Sequence, residues 1–306
     1  MRTFNTLIAL STLTASIQLL AADATFNANA EVGLTTNSDL TIKELDVISS
    51  QSDTGTRLAA GLNAELNATD SLKFTPSYQY QQTNYHELDQ YDLALHQYSL
   101  DTKYTLSNTD FGIRYDGASA KVAQQAFLTL NQASLYISHY LNPTTYLRTA
   151  IRTAEKQFAT QSMRDADGLG LDVNLYYFIN QGATMLMLGA SLDKEDAAAE
   201  QFNFQGWSFN TRLSHSFNVF KLKNKAGIGW RYQDKDYQEL AQQLLTDTEG
   251  EASRDEKRSV IQAFWQLALF DSLSVITEAE FGDYQSKLAA NTYTQSIASV
   301  SLKATF

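Results

Sequence analysis

The residues best able to do chemistry are four histidines, His86, His96, His139 and His215, and the serines beside two of them, Ser138 and Ser214. The histidines lie far apart and in no zinc-binding spacing. A Ser-His dipeptide suggests a nucleophile and its base, but adjacent residues of an extended strand point to opposite faces, which separates the two groups. There is no Gly-rich phosphate loop and no HExxH motif. The sequence therefore predicts no bond-making chemistry, no cofactor and no metal.

Charge is the other candidate. Arg164-Asp165-Ala166-Asp167, Asp193-Lys194-Glu195-Asp196, Asp234-Lys235-Asp236 and Arg254-Asp255-Glu256-Lys257-Arg258 sit where long polar segments meet apolar ones. Such a ring is able to hold divalent cations at a mouth, or to bridge lipopolysaccharide through them. It equally suits a salt-bridged, water-facing rim. The net charge of -11 argues against nucleic acid as a partner, because a phosphate backbone needs a basic surface.

The elements that must carry these residues follow from periodicity. Leu58, Ala60, Leu62, Ala64, Leu66 and Ala68 alternate with Ala59, Gly61, Asn63, Glu65 and Asn67, a period of two. Similar ladders run through Leu72 to Tyr80, Tyr98 to Leu106, Leu169 to Ile179, Trp207 to Phe217 and Leu222 to Tyr232. Tyr 16, Phe 16 and Trp 3 against Pro 2 favour strands, and Cys 0 leaves no disulfide. Long polar segments near 36–55, 84–93, 116–126, 155–168, 193–203, 233–256 and 282–292 interleave with short turn signals at 67–71, 107–110, 142–145, 180–183, 217–220 and 270–272. Short turns at one end, long loops at the other and an even strand number describe a transmembrane β-barrel. The expected fold is all-β, an antiparallel up-and-down barrel of about fourteen strands, with twelve possible.

Residues 1–24 carry Arg2, an apolar run from Leu7 to Leu20 and small residues at Ala21, Ala22 and Ala24, the order of a secretory signal peptide cleaved after Ala22 or Ala24. Residues 25–306 are then the barrel, placed in the bacterial outer membrane among its lipid and lipopolysaccharide. The last strand alternates Ser296, Ala298, Val300, Leu302, Ala304 and Phe306. A terminal strand ending in phenylalanine resembles the signal read by the barrel-assembly machinery of Gram-negative bacteria, an expected partner. Tyr78, Tyr80, Tyr98, Tyr136, Tyr146, Tyr177, Trp207 and Trp230 are expected at strand ends or on apolar faces, as interfacial belts.

Polar positions opposite the apolar ladders line the lumen: Glu65, Lys73, Asp101, Lys103, Arg148, Arg152, Asp172, Arg212, Lys223 and Lys225. They are the pore candidates, setting selectivity by charge and width. Leu240, Leu244 and Leu245 fall at helical spacing in the longest loop, consistent with a short helix acting as a lid or an external cap.

Five loop-end segments, Tyr91-Asp92-Leu93-Ala94-Leu95-His96, Arg164-Asp165-Ala166-Asp167, Glu195-Asp196-Ala197, Arg231-Tyr232-Gln233-Asp234-Lys235-Asp236-Tyr237 and Arg254-Asp255, resemble the C-terminal barrel of surface lipoprotein assembly modifiers. The resemblance implies a fourteen-stranded pore and a surface lipoprotein as one possible cargo, with a small solute as the other. The tetratricopeptide repeats that often precede that barrel are expected to be missing before Phe26. The expected function is a channel or translocation pore. The alternative is a filled barrel presenting acidic loops to a partner.

Overall fold

The computed structural model describes residues 23–42, 47–237 and 254–306. The signal-peptide segment up to Ala22 and the expected helix over 240–245 lie outside the described residues. Fourteen antiparallel strands close into one barrel: Asp23–Asn37 (β1), Asp53–Asn67 (β2), Leu72–Tyr85 (β3), Leu93–Leu106 (β4), Thr109–Val122 (β5), Gln125–Asn142 (β6), Thr145–Phe158 (β7), Ala166–Ile179 (β8), Thr184–Ala197 (β9), Phe204–Val219 (β10), Leu222–Tyr237 (β11), Glu256–Phe270 (β12), Leu273–Ser286 (β13) and Tyr293–Thr305 (β14). Each strand pairs with its sequence neighbours, and β1 closes on β14 in the register Ala30↔Ala304 to Thr36↔Ala298. Closure follows from the solvent, because an unpaired strand edge in hydrocarbon would leave backbone groups with no partner. Phe306 completes the seam: its N–H donates to the Ala28 carbonyl at 2.9 Å and its carbonyl accepts from Ala28 N–H at 3.1 Å.

The packing is inverted relative to a water-soluble domain. Leu34, Leu62, Ile113, Leu135, Ile137, Ile151, Leu169, Leu192, Ile228 and Val300 are all exposed on the outer face, whereas the few buried side chains are mostly small or polar. An apolar exterior on this scale is unfavourable in water and favourable in lipid. Across β5, β6, β7 and β8, Ile113, Leu135, Ile151 and Leu171 stand in one paired row, so neighbouring strands extend the same apolar band.

The connections divide as periodicity predicts, with one correction. Both described termini share an end with the turns 68–71, 107–108, 143–144, 180–183, 220–221 and 271–272. The segment 116–126 is not a long loop. β5 runs to Val122, and Ala123 and Gln124 alone reverse the chain with φ of 48° and 64°. Both positive angles belong to the tight hairpin turn that matches strand twist. The small polar sequence around Gly117 and Ser119 reads as loop. On the outer face, however, the Tyr98 ring of β4 covers Gly117 and occupies the space a side chain there would fill. Strands of 13 to 18 residues are also longer than the 9–11 that a bilayer crossing needs, so their ends rise beyond the lipid.

Candidate pore lining and outer rim

Alternation puts all ten predicted lining residues on the face opposite the exposed apolar ladder. It also distributes them by height. Near the turns, Lys73 pairs with Glu65, Lys103 lies 3.5 Å from Asp110, and Lys223 lies 3.4 Å from Asp271. Higher up, Arg152 bridges two neighbouring strands, meeting Asp172 at 3.0 Å and also Asp193. Its guanidinium lies over Gly170, where an added Cβ would approach Arg152 Cζ to 2.6 Å. The glycine gives the long side chain room to cross β8.

Asp101 and Arg148 are brought together by a residue read differently from sequence. Tyr136 is not in an interfacial belt: it faces inward, is 5% exposed, donates from its hydroxyl to Asp101 at 2.8 Å, and carries the Arg148 guanidinium 3.8 Å from its ring centroid. Tyr146 likewise lies inside, 3.5 Å from Asp110. The reason is parity, since Leu135 and Ile137 take the lipid face and leave position 136 to the lumen. Tyr78, Tyr98, Tyr177, Trp207 and Trp230 are exposed on the outer face, as a belt requires. Replacing Tyr136 by Phe removes one hydrogen bond to a carboxylate and is expected to cost about 1–2 kcal/mol. The check is the urea midpoint of unfolding in a double-mutant cycle with Asp101→Asn, where equal costs with and without Asp101 would remove the pairing from the account.

Sequence reasoning missed a second constellation. Arg57, Arg212, Arg231, Gln262, Glu278 and Glu280 line a cavity of about 430 Å3 inside the barrel. Arg57 pairs with Glu278 at 3.0 Å and reaches Glu31 at 4.0 Å, and Gln262 donates to Glu280 at 2.7 Å. Arg212 stacks 4.8 Å from the Phe264 ring centroid, and among the described residues neither Arg212 nor Arg231 has an ion-pair partner. Extending the alternation of Leu58, Trp230 and Phe281 by one residue would have found Arg57, Arg231 and Glu280.

The Ser-His pairs separate as strand geometry demands. Ser138 is 1% exposed on the inner side, while His139 on the outer side bonds Thr109 Oγ1 at 2.8 Å. Ser214 is buried and His215 bonds Thr184 Oγ1 at 2.7 Å. Among the described residues no three His, Asp or Glu side chains converge as a metal site.

The loop-end acids have a structural task. In five outer hairpins the residue just before the returning strand accepts a hydrogen bond from the last N–H of the outgoing one: Asp92 from Tyr85 at 2.7 Å, Asp165 from Phe158 at 2.6 Å, Asn203 from Ala197 at 2.5 Å, Asp255 from Tyr237 at 3.2 Å and Thr292 from Ser286 at 3.1 Å. Each clasp satisfies a backbone donor where the ladder ends. Four of these loops also contain a single 3-10 turn, at Asp89–Tyr91, Ser162–Arg164, Glu200–Phe202 and Ala289–Asn291. Asp53 serves the same purpose at the first residue of β2. Burial raises its pKa, but donors from Thr54, Glu87 and Leu88 outweigh that and hold it below the ordinary value.

Outward-facing charge pairs, Lys194 with Asp196 at 2.8 Å and Lys257 with Asp234 at 3.8 Å, mark where lipid contact ends. At that level, outside the membrane band, Lys156, Lys235 and Arg258 face inward around a smaller cavity of about 110 Å3. Burial, followed by repulsion from Arg258 and Lys156, pulls the Lys235 ammonium down to about 8.

No protein-family model matches the chain, and no curated protein sequence matches it. Solved structures do. The anion-selective porin from Comamonas acidovorans superposes with a TM-score of 0.55 at 9% identity, covering 93% of this chain and 99% of the porin. OmpT of Vibrio cholerae, an outer membrane protein, matches in its trimer form with a TM-score of 0.54 at 10% identity, over 94% of this chain and 100% of that one. OmpF of Salmonella typhi, solved with daunomycin, matches with 0.51 at 12% identity, over 92% and 97%. At such identities the likeness is one of fold, and it agrees with the closed ladder and the apolar exterior: this chain is a fourteen-stranded antiparallel β-barrel of the outer-membrane type.

Proposed function

We propose that the protein is an outer-membrane channel for small solutes, with selectivity set by the inner-wall charges. The observation that carries this reading is solvation of the interior: Gln79, Arg212, Arg231 and Gln262 point inward, yet their side chains are exposed. A filled barrel would bury them against partners. Of the ten lining residues, Arg148 and Arg212 stack on aromatic rings, and the acids Glu65 and Asp172 are each held by a cation. The unpaired Arg212 and Arg231 therefore favour anions, the preference stated for the Comamonas porin. Outer-membrane lipid and lipopolysaccharide surround the apolar band, and the barrel-assembly machinery reads the Phe306 strand. A surface lipoprotein as cargo rests on the loop-end resemblance alone. The clasps give those motifs a folding role in any cargo class, so we place the small solute first.

Single-channel recording of the refolded mature protein in a planar bilayer tests this. Steady current with a reversal potential favouring chloride is the expected result, and Arg212→Glu with Arg231→Glu is expected to shift the preference toward cations. Silence would overturn the channel and move the function to a filled barrel presenting its loops.

A further inference from the structure

We infer that the inner wall just below the outer rim holds a binding site for the phosphate group of a small dissolved solute, built on Lys156, Lys235 and Arg258. The inference deepens the channel reading and rests on it for the route by which the solute leaves.

Three long cations from β7, β11 and β12 converge there although the chain as a whole carries -11. The carboxylates in reach do not match them. Glu195 takes Lys156, and Glu256 is divided between Arg258 at 2.8 Å and Arg254 at 3.0 Å. Lys235 has no ion-pair partner among the described residues, and its Nζ rests 4.0 Å from the Phe204 ring centroid. The Phe204 face offers electrostatic contact but no acceptor, and among the described residues no protein oxygen pairs with the ammonium, so its protons are available to the oxygens of a ligand.

The outer surface at the same height provides a contrast. Lys194 with Asp196 and Lys257 with Asp234 match one cation to one anion, as a rim charged for solubility does. On the inner side the cations exceed their partners. Those that are paired sit beside an unmatched ammonium that burial first, and then repulsion from Arg258 and Lys156, pull toward deprotonation. An anion placed among them relieves that repulsion, and a doubly charged phosphate relieves more of it than a carboxylate. The cavity, about 110 Å3, accommodates one phosphate group with one or two waters, taking roughly 30 Å3 per water. The side chains face the lumen, which excludes the phosphates of membrane lipid and leaves a solute in transit.

Isothermal titration calorimetry of the refolded barrel with inorganic phosphate, at constant ionic strength made up with chloride, decides the matter. Saturable binding is expected, weakened at least tenfold by Lys235→Met and by Lys156→Gln with Arg258→Gln. Lys235→Arg, which keeps the charge, is expected to restore most of it, and Lys257→Gln on the outer surface to leave it unchanged. Each variant is first checked for the heat-modifiable gel migration of a folded barrel. Absence of saturable binding, equal loss in Lys257→Gln, or equal affinity for acetate would overturn the phosphate site. Current recorded on the same samples separates the two readings: binding without current removes the channel and keeps the site, and current without binding removes the site and keeps the channel.

Discussion

Replacing Leu135 by Arg is expected to lower the free energy of unfolding from vesicles by about 2–4 kcal/mol, the cost of a cation on the lipid face near mid-bilayer. Leu135 is 61% exposed at the centre of the apolar row, between Ile113 of β5 and Ile151 of β7. No inward escape exists, because the adjacent inner positions belong to Ser134 and Tyr136, both buried. Urea titration in phospholipid vesicles measures the change, with Gln79→Arg as a lumen-side control expected to cost little. A cost below about 1 kcal/mol for Leu135→Arg would place that face in water or against protein instead of hydrocarbon.

Replacing Gly33 by Val is expected to open the barrel seam. A Cβ at position 33 would lie 2.4 Å from the Val300 carbonyl oxygen, 2.5 Å from Ser301 Cβ and 2.8 Å from Ser301 Cα. Two of these atoms are backbone, so relief requires β1 and β14 to part. Overpacking of this kind costs about 1–3 kcal/mol, and here it falls on the pairing that joins the two ends of the sheet. The β1–β14 register carries nine residue pairs, whereas β10 and β11 share sixteen, so the seam has less ladder in reserve. Loss of the heat-modifiable folded band on unboiled gels is the expected readout. Gly168→Ala is the matched control, since nothing lies nearer than 3.5 Å to its added Cβ and the folded band is expected to persist. An intact band for Gly33→Val would show that closure does not depend on this contact.

Much of the architecture was legible from the chain because a membrane barrel reads out period two directly. Each strand places alternate residues in lipid and lumen, and hydrocarbon penalises a wrong face heavily enough to keep the pattern clean. The strand number, the six turns, six of the seven outer connections and the inward parity of all ten lining candidates follow from that rule. It failed at 116–126, where an outward ring covers a glycine and the strand continues through a sequence that composition reads as loop.

What alternation lacks is any statement of which inward residues meet. Tyr136 carries both Asp101 and Arg148 because β4 and β7 stand within reach of β6, and Arg57 finds Glu278 only after β1 and β14 have closed the circle between them. The sequence by itself determined the faces, the ends and the terminal strand, since these depend on local periodicity and on solvent. The tertiary structure alone decided the ion pairs, the clasps at the outer hairpins and the unmatched cations at the rim. These depend on register between strands and on which side chains share a height, and a one-dimensional pattern carries neither.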